Sequence, residues 1–304
     1  MAGLNVSIVF FFSVVTLCEV TRRLSKRIFP PKLYSCFASE LASSFQLCAC
    51  CLELKMLVEI GPWGGGIGRD VSFTLLFLLF LVHGASFDGA SANPAISLQE
   101  FLALDSPFVA TVAKLLVQFM GMKAAGAFTK LYWSRELIDL HMIQNFMARD
   151  CSSSLNTPIS HGIFVEATCS FFFNVAILRF RSSSPMYRAP VIALTVTALA
   201  YTAAPFTGAF FNPALAFAVT FSCSGNSLPE YMQVYWLGPT AGMLVALFVY
   251  RGNIPRLFQR NLLYSQKNKY RIPKGKAISV SGAEQRQPKT QKAISCSGPS
   301  DRTE

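Results

Sequence analysis

"TGAFFNPALAF", residues 207–217, sets an asparagine and a proline in the middle of an apolar run. Proline breaks a helix interior, and an amide is costly in hydrocarbon. The stretch "DGASANPAISL", 88–98, carries the same tripeptide, so Asn93-Pro94-Ala95 repeats Asn212-Pro213-Ala214 at a separation of 119. Both copies follow a Gly-Ala pair. Two occurrences of one unusual tripeptide point to a structural unit used twice.

Composition says where that unit resides. Of the 304 residues, 52% are hydrophobic and only 14% charged, with a mean hydropathy of +0.40. A soluble domain carries about a quarter charged residues. The segments 4–18, 71–82, 162–178, 191–206 and 231–250 are almost free of charge. The longer ones approach the ~20 residues that a helix needs to cross a bilayer. The chain reads as an all-α integral membrane protein with membrane lipid as its surroundings.

Charge sets the orientation. From Arg251 to Glu304 there are twelve Lys/Arg against three Asp/Glu, which accounts for most of the net charge of +11. The positive-inside rule assigns this tail to the cytoplasm. Its Ser, Gly, Pro and Gln content predicts disorder beyond about residue 270. No recognition fold surrounds "KNKYRIPKGK", so a nucleic-acid partner is not expected. The nine cysteines lack zinc-type pairing with histidine, "CACC" at 48–51 included, and read as small buried thiols. With three histidines, no phosphate loop and no nucleophile elbow, neither an enzyme nor a cofactor site is expected. His83 near Asp88 reads as helix packing. Residues 4–21 form a retained first span rather than a signal peptide, because the run ends in "EVTRRLSKR" and not in a small-residue cleavage site.

Six further spans are predicted at about 37–58, 70–87, 108–129, 160–178, 190–205 and 230–250, with a polar loop at 130–158. Every clearly basic connection then falls on one face. The order is duplicated. Glu40 in "FASELASSF" corresponds to Glu166 in "FVEATCSFF", and "QFMGMKAAG" (118–126) to "YWLGPTAGM" (235–243) at a spacing of 117. That spacing matches Gly121 to Gly238 and Ala125 to Gly242, small residues four apart that let helices pack closely in lipid. Each copy holds three spans, so the second enters from the opposite side: an inverted repeat, whose binding or conducting site lies at the midplane. A carboxylate inside a span faces the interior or a partner; for Glu40 and Glu166 the expected partners are backbone N–H groups of re-entrant segments. The boundaries are 1–32 for the N-terminal helix and basic linker, 33–130 and 160–255 for the repeats, 131–159 for their connection and 256–304 for the tail.

Asparagine is a favoured N-cap and proline suits the first helical turn. Each tripeptide therefore starts a half-helix, about 94–101 and about 213–221. At 1.5 Å per residue the two together span ~25 Å, against a hydrocarbon core of ~30 Å. Both N-termini meet at the centre, each with about half a positive charge. The amide donors of Asn93 and Asn212 favour neutral acceptors there, and a cation is repelled. Lys114 and Lys123, inside 108–129, are expected to snorkel to the interfaces.

These residues resemble the aquaporin (major intrinsic protein) family over about 37–255, in the paired Asn-Pro-Ala motifs, the two glutamates and "VYWLGPTAG". The extra N-terminal helix, the "FFNPAL" form and Cys223, nine residues beyond Pro213-Ala214 and their asparagine, resemble its unorthodox intracellular branch. The resemblance implies the family fold, six spans with two re-entrant half-helices, and a homotetramer with one pore per subunit. It implies intracellular membranes, such as the endoplasmic reticulum or secretory granules. It also supplies a selectivity constriction, which falls on Phe73, Ala200, Ala209 and Leu215. Orthodox members place arginine where Leu215 stands, and water-selective ones histidine where Ala200 stands. The ring implied here is apolar and wide enough for glycerol or hydrogen peroxide as well as water. A non-conducting protein of the same fold that organises an intracellular membrane stays open as the alternative.

Overall fold

All regular structure among the described residues is helical. The computed structural model describes residues 2–29, 32–60, 68–147, 153–221, 225 and 227–258. The Gly-rich stretch 61–67, Cys223 and the basic tail from 259 lie outside them. The helices are α1 (Ala2–Ile28), α2 (Lys32–Ile60), α3 (Arg69–Ser86), the half-helix α4 (Pro94–Leu102), α5 (Phe108–Trp133), α6 (Asp139–Met147), α7 (Ile159–Phe180) and α8 (Pro185–Thr207). The second half-helix, α9, starts as an α-turn over Pro213–Ala216 and widens into a π-helical turn over Phe217–Phe221. Then come α10 (Leu228–Arg251), with a π-helical stretch Met232–Leu237, and a short α11 (Pro255–Phe258).

Six of these helices, α1, α2, α5, α7, α8 and α10, are long and apolar enough to cross a membrane, and α3 supplies a shorter apolar segment, Asp70–Ser86. Large apolar side chains are exposed on the surface, and the largely hydrophobic interior also holds polar and charged ones. Phe12, Val109, Phe164 and Met186 are more than two-thirds exposed, while Glu40, Glu53, Glu166, Gln46 and Gln118 are fully buried. Exposed apolar side chains on this scale suit lipid rather than water.

Packing follows the duplication. Helix α2 lies against α5, its counterpart α7 against α10, and α3 against α8 across the repeat boundary. Small residues permit the first two contacts. A Cβ on Gly121 would stand 2.6 Å from the Leu41 carbonyl oxygen, and one on Gly238 would be 3.0 Å from Glu166 Cβ. A Cβ on Gly242 would run into the carbonyl of Ala167. Ala125 is fully buried in the same seam as Gly121.

The N-terminal helix is longer than the 4–21 read from hydropathy, because its basic last turns continue the helix and find partners. Arg22, 1% exposed, donates to Gln46 Oε1 at 2.9 Å and to Ser43 Oγ at 3.4 Å on α2. Lys26 pairs with Asp88 after α3. At the other end Ser7 donates to Glu53 at 2.6 Å, and Phe10 stacks on Tyr132 of α5 at 4.4 Å. The connection expected to be a plain loop contains α6, whose His141 Nε2 lies 3.3 Å from Glu53 Oε1, which also makes Glu53 a partner of α1. Trp133 Nε1 donates to the other oxygen of Glu53 at 2.7 Å. Thus Glu53, an unremarked glutamate in a span, ties four helices together.

Lys114 does not snorkel. It is 3% exposed and its Nζ lies 2.9 Å from Glu100 Oε2 and 3.8 Å from Glu40 Oε1. Its place on α5 turns it inward, and burial without a carboxylate would be prohibitive. Lys123 is exposed.

Substituting Gly242→Leu is expected to force α7 and α10 apart at a cost of about 3 kcal/mol or more. Gly126→Leu, where nothing stands within 4 Å of the added Cβ, should be neutral. Thermal unfolding of the two variants in detergent, read by size-exclusion profiles after heating, checks the difference.

Candidate functional site

The two half-helices begin where the sequence places an asparagine before a proline. Asn93 Oδ1 accepts from Ala95 N at 2.9 Å, and Asn212 Oδ1 accepts from Ala214 N and Leu215 N at 3.2 Å each. Each asparagine thereby caps its own helix. The other end of each amide reaches across the pseudo-twofold axis. Asn93 Nδ2 donates to the Phe211 carbonyl at 3.1 Å, and Asn212 Nδ2 to the Ala92 carbonyl at 2.8 Å. An amide nitrogen carries two hydrogens, so each retains one after this exchange, and both asparagines line the cavity described below.

The acceptor carbonyls are aimed by an unusual backbone. Ala92 and Phe211, the residues just before the asparagines, have φ of +48° and +33°. Non-glycine residues rarely adopt such angles, at an expense of about 1–3 kcal/mol each. Gly89 and Gly208, with φ of +84° and +83°, make the corresponding turns three residues earlier.

Two buried carboxylates hold these loops. Glu40 accepts from Ser91 N and Ala92 N, both at 3.0 Å, and from Gln118 Nε2 at 3.0 Å. Glu166 accepts from Phe210 N at 3.2 Å, Phe211 N at 2.6 Å and Thr207 Oγ1 at 2.6 Å. The bonded N–H groups correspond at the spacing of the tripeptides. Tyr231 and Tyr235 complete the second repeat by donating to the Pro213 and Thr207 carbonyls at 2.7 and 2.9 Å.

A cavity of about 950 Å³ passes this centre and reaches both ends of the molecule. Lys55, Glu59 and Asn156 line one mouth, and Glu100, Arg181 and Arg188 the mouth on the side of the C-terminal tail. Along α8 the lining runs from Arg188 to Pro205, ~25 Å of helix. Phe73, Ala200, Ala209 and Leu215 all line it, with Asn93 and Asn212. Phe73 also packs on Tyr201, with ring centroids 4.8 Å apart. Pro94, Ala95, Pro213 and Ala214 are buried in the half-helices. Gly121, Gly238 and Gly242 stand away from the cavity in the helix seams.

The repeats match in backbone but differ in side chains. At the duplication spacings, Ser91, Ser97, Gln99 and Glu100 correspond to Phe210, Ala216, Ala218 and Val219, and Lys114 and Gln118 to Tyr231 and Tyr235. Of these, Ser91, Gln99, Glu100 and Lys114 of the first repeat line the cavity, and Phe210 and Val219 of the second, while both mouths carry charged side chains. Hydropathy did not single out His83, Gln99 or Glu100 as lining residues; for Gln99 and Glu100 the repeat alignment carried the signal as polar-to-apolar mismatches.

Replacing Glu166 by Ala removes the acceptor for two buried backbone N–H groups. The expected loss is about 3 kcal/mol of stability, seen as a lowered unfolding temperature, with Glu166→Gln between the two.

Known proteins give this arrangement its family. The model of the major intrinsic protein family matches residues 32–250. Aquaporin-12 of Mus musculus is 54% identical over 276 residues, covering 91% of this chain and 95% of that protein. Putative aquaporin-12B of Homo sapiens is 53% identical, covering 93% and 92%. Aquaporin-11 of Homo sapiens is 30% identical, covering 84% and 93%. Among solved structures, the aquaglyceroporin from Plasmodium falciparum shares the fold at 15% identity, with a TM-score of 0.51 over 77% of this chain and 99% of that one. Crossed asparagine caps at the meeting of two half-helices and a family match across both repeats lead to one conclusion: this multi-pass membrane chain belongs to the major intrinsic protein, or aquaporin, family.

Proposed function

We propose that the protein is a passive transmembrane channel for water and small uncharged solutes such as glycerol and hydrogen peroxide. The observation that carries this reading is the cavity running from mouth to mouth between Asn93 and Asn212. At the centre, two half-helix N-termini and the free amide hydrogens present positive potential and donors. That environment favours an acceptor oxygen and disfavours a cation or hydrated proton.

The four residues Phe73, Ala200, Ala209 and Leu215 form the selectivity constriction in this reading. None carries charge or a strong hydrogen-bonding group, so discrimination there rests on size and on desolvation. Water, with small polar molecules of similar width, passes; an ion meets no group to replace its hydration. Membership of a family of channels supports the absence of enzymatic activity. The repeats at 33–130 and 160–255 enclose the pore, with 1–32, 131–159 and 256–304 as accessory segments. The tail is assigned to the cytoplasm of an intracellular membrane, endoplasmic reticulum or secretory granule, and the assembly to a homotetramer, on the family pattern and the basic charge of the tail.

Purified protein in liposomes tests the proposal. Stopped-flow water permeability is expected to exceed that of empty vesicles severalfold, with glycerol and peroxide also admitted. Asn212→Asp, which brings a negative charge to the centre, should reduce solute flux and weaken the exclusion of cations. Kinetics identical to empty vesicles for every solute would instead favour a non-conducting protein that organises its membrane.

A further inference from the structure

The half-helix α4 ends in a turn that glycine would normally make. Leu104, the second residue past the helix, has φ of +67°, in the left-handed region that side chains other than glycine rarely enter. The last carbonyls of a helix also lack partners within it. Three arginines from the second repeat and the segment after it close around this turn. Arg256 of α11 donates through Nε to the Phe101 carbonyl at 2.8 Å and through Nη2 to the Ser106 carbonyl at 3.1 Å. Its guanidinium carbon lies 4.0 Å from the centroid of the Phe101 ring. Arg251, the last residue of α10, donates to the Ala103 carbonyl at 3.3 Å and lies 3.5 Å from Asp105, the carboxylate that Arg181 also holds. Positive charge at a helix C-terminus suits the macrodipole. Ile254, between Arg251 and Arg256, is buried in one apolar cluster with Leu102 and Ala103.

We propose that Arg256 is a positioning residue for the first pore motif: by holding the C-terminal end of α4 it fixes Asn93 at the other end. The half-helix has nine residues. Helices shorter than about 12–15 residues are marginal by themselves, so its order depends on what grips it. At its start Glu40 holds the loop through Ser91 N and Ala92 N, and Asn93 reaches the Phe211 carbonyl at 3.1 Å. Along its length Lys114 holds Glu100. At its end the grip is the Arg256 fork, two carbonyls and one aromatic face engaged by a single planar group, which an ammonium cannot match. A short helix loosened at that end tilts about its start, and the amide of Asn93 then leaves the facing carbonyl. The bond to Phe101 joins residues 155 apart in sequence, so it is made by the tertiary fold alone. Segment α11 also leads into the basic tail, which puts the clamp between tail and pore. The inference rests on the channel reading for its effect on flux, but the ordering of α4 does not require conduction.

The test uses the full chain and two readouts. Amide hydrogen exchange of the detergent-purified protein is followed by mass spectrometry over 95–103 and, as internal control, over 214–221 in the second half-helix. Water permeability is measured in proteoliposomes. Loss of a hydrogen bond from a charged donor shifts a local opening equilibrium by roughly tenfold or more. Arg256→Met, which keeps the reach and removes the donors, is therefore expected to speed exchange over 95–103 by that factor and to lower water permeability severalfold. Exchange over 214–221 and the unfolding temperature should stay near wild type. Arg256→Lys, which keeps the charge without the fork, should fall between. Should Arg256→Met aggregate, Arg256→Gln takes its place. Faster exchange in both half-helices alike, with a lowered unfolding temperature, makes Arg256 a general stabiliser and overturns the proposal. Unchanged exchange over 95–103 overturns it too, as does selective loosening of 95–103 with wild-type permeability. Selective loosening in a protein that conducts no water even as wild type removes the channel reading and keeps the positioning of α4.

Discussion

The structure depends on two carboxylates, Glu40 and Glu166, buried where water cannot satisfy the loops they hold. Each takes two successive backbone N–H groups just before a half-helix. Without them the left-handed residues Ala92 and Phe211 would lack the anchor that offsets their strain, and the carbonyls they aim would drift from the facing asparagines. The asparagines close the arrangement by donating to those carbonyls. Irregular backbone in a membrane survives only where protein or a water-filled cavity completes its hydrogen bonding. Here the two carboxylates and the two asparagines supply those bonds at Ser91, Ala92, Phe210 and Phe211.

Polar residues elsewhere follow the same constraint. Glu53 collects Ser7, Trp133 and His141, and Arg22 reaches Gln46, which passes a bond on to Ser86 at 3.1 Å. These contacts hold α1 and α6 on the first repeat. Among the described residues no membrane-length helix stands between α5 and α7, and Glu166 has neither a lysine nor a glutamine among its bonded partners. The duplication preserved the hydrogen bonds that shape the centre and left the periphery free to differ.

Side chains along the pore show that freedom. At aligned positions Ser91 and Glu100 of the first repeat line the cavity where the second repeat places Phe210 and Val219.

The inverted repeat was legible in the sequence because its signals are local: an asparagine cap, a proline at the first helical position, and apolar runs of membrane length. The glutamates were legible too, since a charge inside a span demands a partner. What the sequence by itself could not determine was direction around each helix. Lys114 and Lys123 read alike on α5, yet one is buried against Glu100 and the other exposed. The π-helical turn at Phe217–Phe221, the helix within the connecting loop and the unpartnered nitrogens of His83 and Gln99 were equally hidden. Each depends on which neighbour stands opposite, and that is decided only when distant segments pack and leave a polar atom bonded or bare.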